Sequence, residues 1–214
     1  VYFDNAATTQ RPLPVVNAVL DYTTHENGNP HRGAHIFAIS ASEAYDTSKE
    51  VVRDFIHARS EKEIIYTRNT SESLNLVARS YGETHLKAGD HILITIAEHH
   101  SNLVTWQRVA QKTGATLDYI YVDKETGHFP EEELKKIDDP RVKLFAFAEV
   151  SNVLGIDFDP KPLIQRAHAH GAIVVLDGAQ STPHKIVDVQ DLDCDFFAFS
   201  GHKMCSMDGI GVLY

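Results

Sequence analysis

The chain has 214 residues, 43% hydrophobic and 23% charged, enough apolar material to bury a sizeable core in an ordinary globular protein. A formal net charge of -10, with no run of Lys and Arg, excludes a binder of phosphate backbones. Two cysteines, Cys194 and Cys205, supply neither a disulfide framework nor the ligand spacing of a metal site.

The opening V-Y-F-D-N-A-A-T-T is not a basic-then-apolar leader, and no apolar run reaches membrane-spanning length, which predicts a cytoplasmic protein. The first forty residues are punctuated by Asn5, Pro12, Pro14, Gly28, Pro30 and Gly33, with one helix between Pro14 and Thr24. His31-Arg32-Gly33-Ala34-His35 gathers two imidazoles and a guanidinium, suited to an anionic contact or simply to a solvated loop. An amphipathic helix follows from Ser40 to His57.

The period then switches. Glu63–Thr67 reads as a strand feeding Arg68-Asn69-Thr70-Ser71-Glu72 and a helix at Leu74 to Ala78. Hydroxyls and free N–H groups at a helix start favour an anion, so Thr70 and Ser71 are candidates for a phosphate cradle; the alternative is that one of them caps the helix. A second strand, His91–Ile96, leads to Glu98-His99-His100-Ser101-Asn102, where His99 can lie against a flat ligand. Side chains at adjacent positions diverge, so no metal is expected on His99 and His100. Strand Thr116–Val122, a short acidic helix in Pro130–Asp139 and the apolar strand Val142–Val150 come next, the last ending at Ser151-Asn152.

A helix from Pro162 to His170 returns to the strand Ala172–Leu176, which delivers Asp177. A helical-length crossing then leads to C-D-F-F-A-F-S-G-H-K, a parallel strand that delivers Ser200, His202 and Lys203. Gly209–Tyr214 follows too closely for a crossover and is expected to run antiparallel. Seven strands in one α/β domain result, with no internal repeat. Read singly, Asp177 is a helix N-cap before Gly178-Ala179 and Lys203 an ordinary solvated loop lysine. Together, a carboxylate and an amine at neighbouring strand ends suit pyridoxal 5'-phosphate (PLP), which needs a lysine for its aldehyde and an acid for its ring nitrogen. No G-x-G-x-x-G follows the first strand, so a nicotinamide enzyme is not expected.

The ordered motifs Y-F-D-N-A-A-T-T, H-R-G-A-H, E-H-H-S-N, V-S-N-V-L-G, V-L-D-G-A-Q and D-C-D-F-F-A-F-S-G-H-K-M run the length of the chain. The chain resembles the class V branch of the fold-type I PLP enzymes, and most closely the Suf-type cysteine desulfurases, also called selenocysteine lyases. The resemblance implies a three-layer αβα sandwich with a mostly parallel seven-stranded sheet. Residues 1–214 would be the PLP-binding large domain with its N-terminal segment, the C-terminal small domain being absent.

It also implies roles. Lys203 would hold the cofactor covalently and act on the substrate, with His99 stacked on the ring. Asp177 would pair with the ring nitrogen and Gln180 with the phenolic oxygen, while Ser71, Ser200 and His202, with Thr70 nearby, would hold the phosphate. Asn152 would orient the substrate carboxylate. His31 and Arg32 would lie at the entrance, close to a dimer partner, and Asn5-Ala6-Ala7 near the substrate. The implied reaction takes sulfur from L-cysteine, or selenium from L-selenocysteine, leaving L-alanine. In a homodimer it would pass a persulfide to a sulfur-acceptor protein of the Suf system for iron–sulfur cluster assembly.

Two departures temper the resemblance. Relatives carry the persulfide cysteine and a substrate-binding arginine beyond a strand like Gly209–Tyr214, and both cysteines here are expected to pack as small hydrophobes. Ser206-Met207-Asp208 replaces the usual Gly-Pro-Thr, and Asp208 is expected to weaken phosphate binding. A non-catalytic PLP-binding module, or a kynureninase- or epimerase-like enzyme, therefore stays open as an alternative.

Overall fold

The computed structural model describes all 214 residues. Helix α1 (Leu13–Asp21) follows Pro12 and carries Pro14 in its first turn, where the fixed φ suits the helix and the missing N–H would have had no partner within it. It unwinds through a wider turn at Tyr22–Glu26. Helix α2 (Ile36–Phe55) begins four residues before the expected Ser40, because the His35 ring accepts the Ala38 N–H and caps it.

The remaining elements alternate. They are β1 (Ile65–Thr67), α3 (Thr70–Val77), the one-turn α4 (Glu83–His85), β2 (His91–Thr95), α5 (His100–Thr113) and β3 (Thr116–Ile120). After them come α6 (Glu131–Leu134), β4 (Val142–Ala148), α7 (Pro160–Ala169), β5 (Ile173–Asp177), α8 (Val189–Leu192), β6 (Phe196–Ser200) and β7 (Gly211–Leu213).

One sheet holds all seven strands in the order β1-β7-β6-β5-β4-β2-β3. The five from β3 to β6 are parallel, and β7 runs antiparallel to both β6 and β1, as its short connection requires. The central strands are apolar on both faces, and their alternation builds two cores. Phe145, Phe147, Val174, Leu176, Phe197 and Phe199 point to the side covered by Leu163, Ile164 and Ala167 of α7. Leu144, Ala146, Val175 and Ala198 point to the other side, under Leu74 and Val77 of α3 and Trp106 of α5. Helices therefore cover both faces, and the expected αβα sandwich is present.

The crossing from Asp177 to Cys194 is not the continuous helix its length suggested. Turns occupy its first half, and helix appears only in the four residues of α8. Pro183 explains this, since it disfavours helical backbone at Thr182 and donates no N–H. No helix is long and apolar enough to cross a membrane. Much of α1 and the start of α2 is unpacked, leaving Leu13, Val16, Leu20, Ile36 and Phe37 exposed.

Candidate active site

Parallel strands bring their C-terminal ends to one edge of the sheet, and a cavity of about 440 Å³ opens there. That lies within the range of about 300–1,000 Å³ typical of small-molecule sites. Its walls carry Lys203, Asp177, His99, Gln180, Asn152, Ser200, His202, Thr70 and Ser71, so nine of the expected site residues meet in one place.

Asp177 ends β5, is buried, and accepts the Ala179 N–H at 2.9 Å. Burial raises its carboxyl above the usual range, while that N–H, the Lys203 ammonium and His99 pull it down. Lys203 follows β6, where burial lowers its pKa and Asp177 partly restores it. His99 lies below the usual imidazole range because of burial and the Lys203 charge, and His202 is lowered for the same two reasons. A partly buried lysine and a buried acid thus share one cavity, where the charge of each favours that of the other. A ligand offering an aldehyde to one and a cationic ring nitrogen to the other fits that donor set.

At the other side of the cavity, Ser200 Oγ accepts the Thr70 N–H at 2.8 Å and lies 2.6 Å from Thr70 Oγ1. This joins the end of β6 to the start of α3, where hydroxyls and the helix dipole together favour an anion. The cap of α3 is neither Thr70 nor Ser71 but Asn69, whose Oδ1 accepts the Glu72 N–H at 2.9 Å. Thr70 and Ser71 fall on the first turn instead and both line the cavity, the Thr70 hydroxyl already against Ser200. Asn69 also lines the cavity. The signal was present in the sequence, since Asn is as good an N-cap as Ser and Glu72 stands three residues on.

The N-terminal segment forms part of the roof through Asp4, Ala6 and Ala7. Gln180 Nε2 donates to Ala6 O at 2.8 Å, so its amide is already engaged with this roof. His31 and Arg32 do not line the cavity. They lie between α1 and α2, with the His31 ring edge-on to Tyr45 and 3.5 Å from Asp46.

One expectation for the cysteines needs correction. Cys194 is buried, and burial first, then the flanking acids, push its thiol up to about 12. Cys205 is exposed rather than packed, in left-handed backbone with φ 69°, because the turn after Lys203 reverses at the surface. Asp208 does not line the cavity and pairs with Arg11 at 2.6 Å, yet its charge still reaches His202, where it opposes that of Arg11.

Sequence reading passed over Glu98. Its Oε2 accepts Asn102 Nδ2 at 2.6 Å, and its Oε1 accepts the Ala148 N–H at 3.1 Å and the Thr95 hydroxyl. Asn102 in turn accepts Trp106 Nε1 at 2.8 Å. Glu98 thereby ties β2, α5 and β4 together beside His99. Burial, with Asp177 nearby, raises it to about 7.

The family model for class-V aminotransferases matches residues 1–214. A probable cysteine desulfurase of Halalkalibacterium halodurans is 50% identical over all of this chain and 52% of its own length. The apo structure of a cysteine desulfurase from Thermococcus onnurineus superposes with a TM-score of 0.94 at 44% identity, covering 100% of this chain and 53% of that one. A structure described as SspA in complex with cysteine matches with a TM-score of 0.89 at 29% identity, over 100% of this chain and 60% of that one. The chain spans 34–52% of the length of these curated relatives.

Proposed function

Since the chain belongs to the class-V aminotransferase family, we propose that it is the PLP-holding part of a cysteine desulfurase. The observation that carries this reading is the pair Asp177 and Lys203, which reach one cavity from the ends of β5 and β6. In it, residues 1–214 are the large domain with its N-terminal segment.

Lys203 holds the cofactor, Asp177 faces its ring nitrogen, His99 its ring face and Gln180 its phenolic oxygen. The cradle for the phosphate is Thr70, Ser71, Ser200 and His202. When bound, PLP supplies an electron sink for the bonds at the substrate α-carbon. The chain's own groups do the rest. Burial keeps a share of Lys203 neutral, so that its amine can take the α-proton of L-cysteine, and Asn152 orients the substrate carboxylate. The sulfur then passes to a thiolate while L-alanine leaves. Neither Cys194, raised and buried, nor Cys205 lines the cavity, so in this reading the acceptor thiol comes from outside these walls.

The exposed apolar side chains of α1 and α2 support a homodimer, in which His31 and Arg32 contact substrate across the interface. The unpaired cysteines suit a reducing, cytoplasmic setting, and delivery of persulfide sulfur to a Suf acceptor for iron–sulfur assembly completes the role.

The test is the visible absorbance of the protein after PLP is added and the excess removed, beside Lys203→Ala. A yellow band that borohydride fixes in the wild type and that the variant lacks is expected, followed by alanine formation from cysteine by the complete protein. A colourless wild type would refute the reading.

A further inference from the structure

The turn that carries Lys203 is held from outside by a segment almost two hundred positions away in the chain. Thr9 Oγ1 donates to the His202 carbonyl at 2.9 Å and accepts the Cys205 N–H at 2.7 Å. The Thr9 N–H reaches the same His202 carbonyl at 2.9 Å, and Thr8 Oγ1 reaches it at 3.2 Å. One hydroxyl therefore bridges the residue before Lys203 and the residue two after it. The bridged stretch ends in Cys205, whose left-handed φ of 69° a non-glycine residue adopts only when its surroundings impose it. Arg11 fastens the segment a second time, to Ser206 O at 3.2 Å and to Asp208, but beyond the lysine.

We infer that Thr9 is a positioning residue for Lys203: its hydroxyl staples the two ends of the lysine's turn and so aims the amine into the cavity. The inference rests on the proposed PLP site for its purpose, not for its geometry. Without the staple the turn can relax toward ordinary backbone, and the amine can leave the cavity for water. The charged and titratable groups facing Lys203 are Asp177 from β5, His99 from the start of α5, Asp4 from the N-terminal segment and His202 from its own turn. Substituting Thr9 removes none of these side chains, and the His202 carbonyl keeps two of its three donors, the Thr9 N–H and the Thr8 hydroxyl.

The experiment measures, in the complete cofactor-free protein, the pH dependence of Lys203 acylation by acetic anhydride, read by mass spectrometry of its peptide. Thr9→Val keeps the shape and removes the hydroxyl, Thr9→Ser restores it, and Arg11→Ala loosens the same segment elsewhere. In Thr9→Val the midpoint is expected to move up toward that of a solvated lysine, and cofactor is expected to be held about tenfold less tightly, as for the loss of roughly one hydrogen bond. Thr9→Ser should return both to the wild-type values, and Arg11→Ala should leave the midpoint in place. An unchanged midpoint in Thr9→Val, no rescue by Thr9→Ser, or an equal shift in Arg11→Ala would overturn the inference. A wild type that takes up no PLP sinks the functional reading instead, and the acylation profile still decides the role of Thr9.

Discussion

Replacing Glu98 by Gln separates the charge of this side chain from its shape. In the folded protein its carboxyl is raised from an ordinary 4.5 to about 7, first by burial. Across that interval the folded chain holds a proton that the unfolded chain has released, so the stabilisation is present in acid and is lost as the pH rises through 7. At about 1.36 kcal/mol per tenfold, ionising Glu98 costs the fold up to about 3 kcal/mol, less as far as its partly exposed surface admits water. Gln cannot ionise. Its amide nitrogen, however, would meet the Asn102 amide that Glu98 now accepts at 2.6 Å, a loss of about 1 kcal/mol.

The variant is therefore expected to be about 1 kcal/mol less stable than wild type near pH 3.5, below the unfolded carboxyl's range, and more stable by up to about 2 kcal/mol near pH 9. Urea unfolding of the cofactor-free protein, followed by the fluorescence of Trp106, measures both. Trp106 is the single tryptophan, it is fully buried, and it hydrogen-bonds Asn102 in the same network. Asp177 titrates in both proteins and largely cancels in the difference. If the difference between the two proteins stays flat from acid to alkali, or slopes the other way, Glu98 is not a buried titrating carboxyl and the reasoning fails.

Gly211 on β7 lies against the backbone of Asn69, where an added Cβ would stand 2.5 Å from Cα and 2.6 Å from the carbonyl carbon. Gly211→Ala should push the cap of α3 away from Ser200, lower stability by about 1–3 kcal/mol and weaken PLP binding; an unchanged melting temperature would show the contact to be wrong. With a thiol reagent such as dithionitrobenzoate, Cys205 should react in the native protein. Cys194, buried and raised to about 12, should react only after denaturant is added. Two fast thiols would contradict that packing.

Much of the site was legible because its signals are local. A strand ending in Asp177, a strand ending in Ser200-Gly201-His202-Lys203, and hydroxyls at the head of α3 each declare themselves within a few residues, through hydrophobic period and end chemistry. Other features were misread for equally local reasons. Asn69 competed with two neighbouring hydroxyls as the cap of α3. The crossing after Asp177 had a helix's length but also Pro183. Cys205 looked like a small hydrophobe until the turn around it proved to reverse at the surface.

The sequence by itself determined the order of strands and helices, the two-sided apolar character of the central strands, and the chemical inventory at their ends. These depend on periodicity and on residue type, which a linear chain displays directly. The tertiary structure alone decided where β1 joins the sheet, through β7, residues far apart in the chain. It alone enclosed Glu98 against Ala148, engaged Gln180 with Ala6, matched Asp208 to Arg11 and laid Thr9 across the Lys203 turn. Each of these is a hydrogen bond or ion pair between segments 50 to 197 positions apart. At such separations no local period or capping rule selects the partner; closure of the whole sheet does.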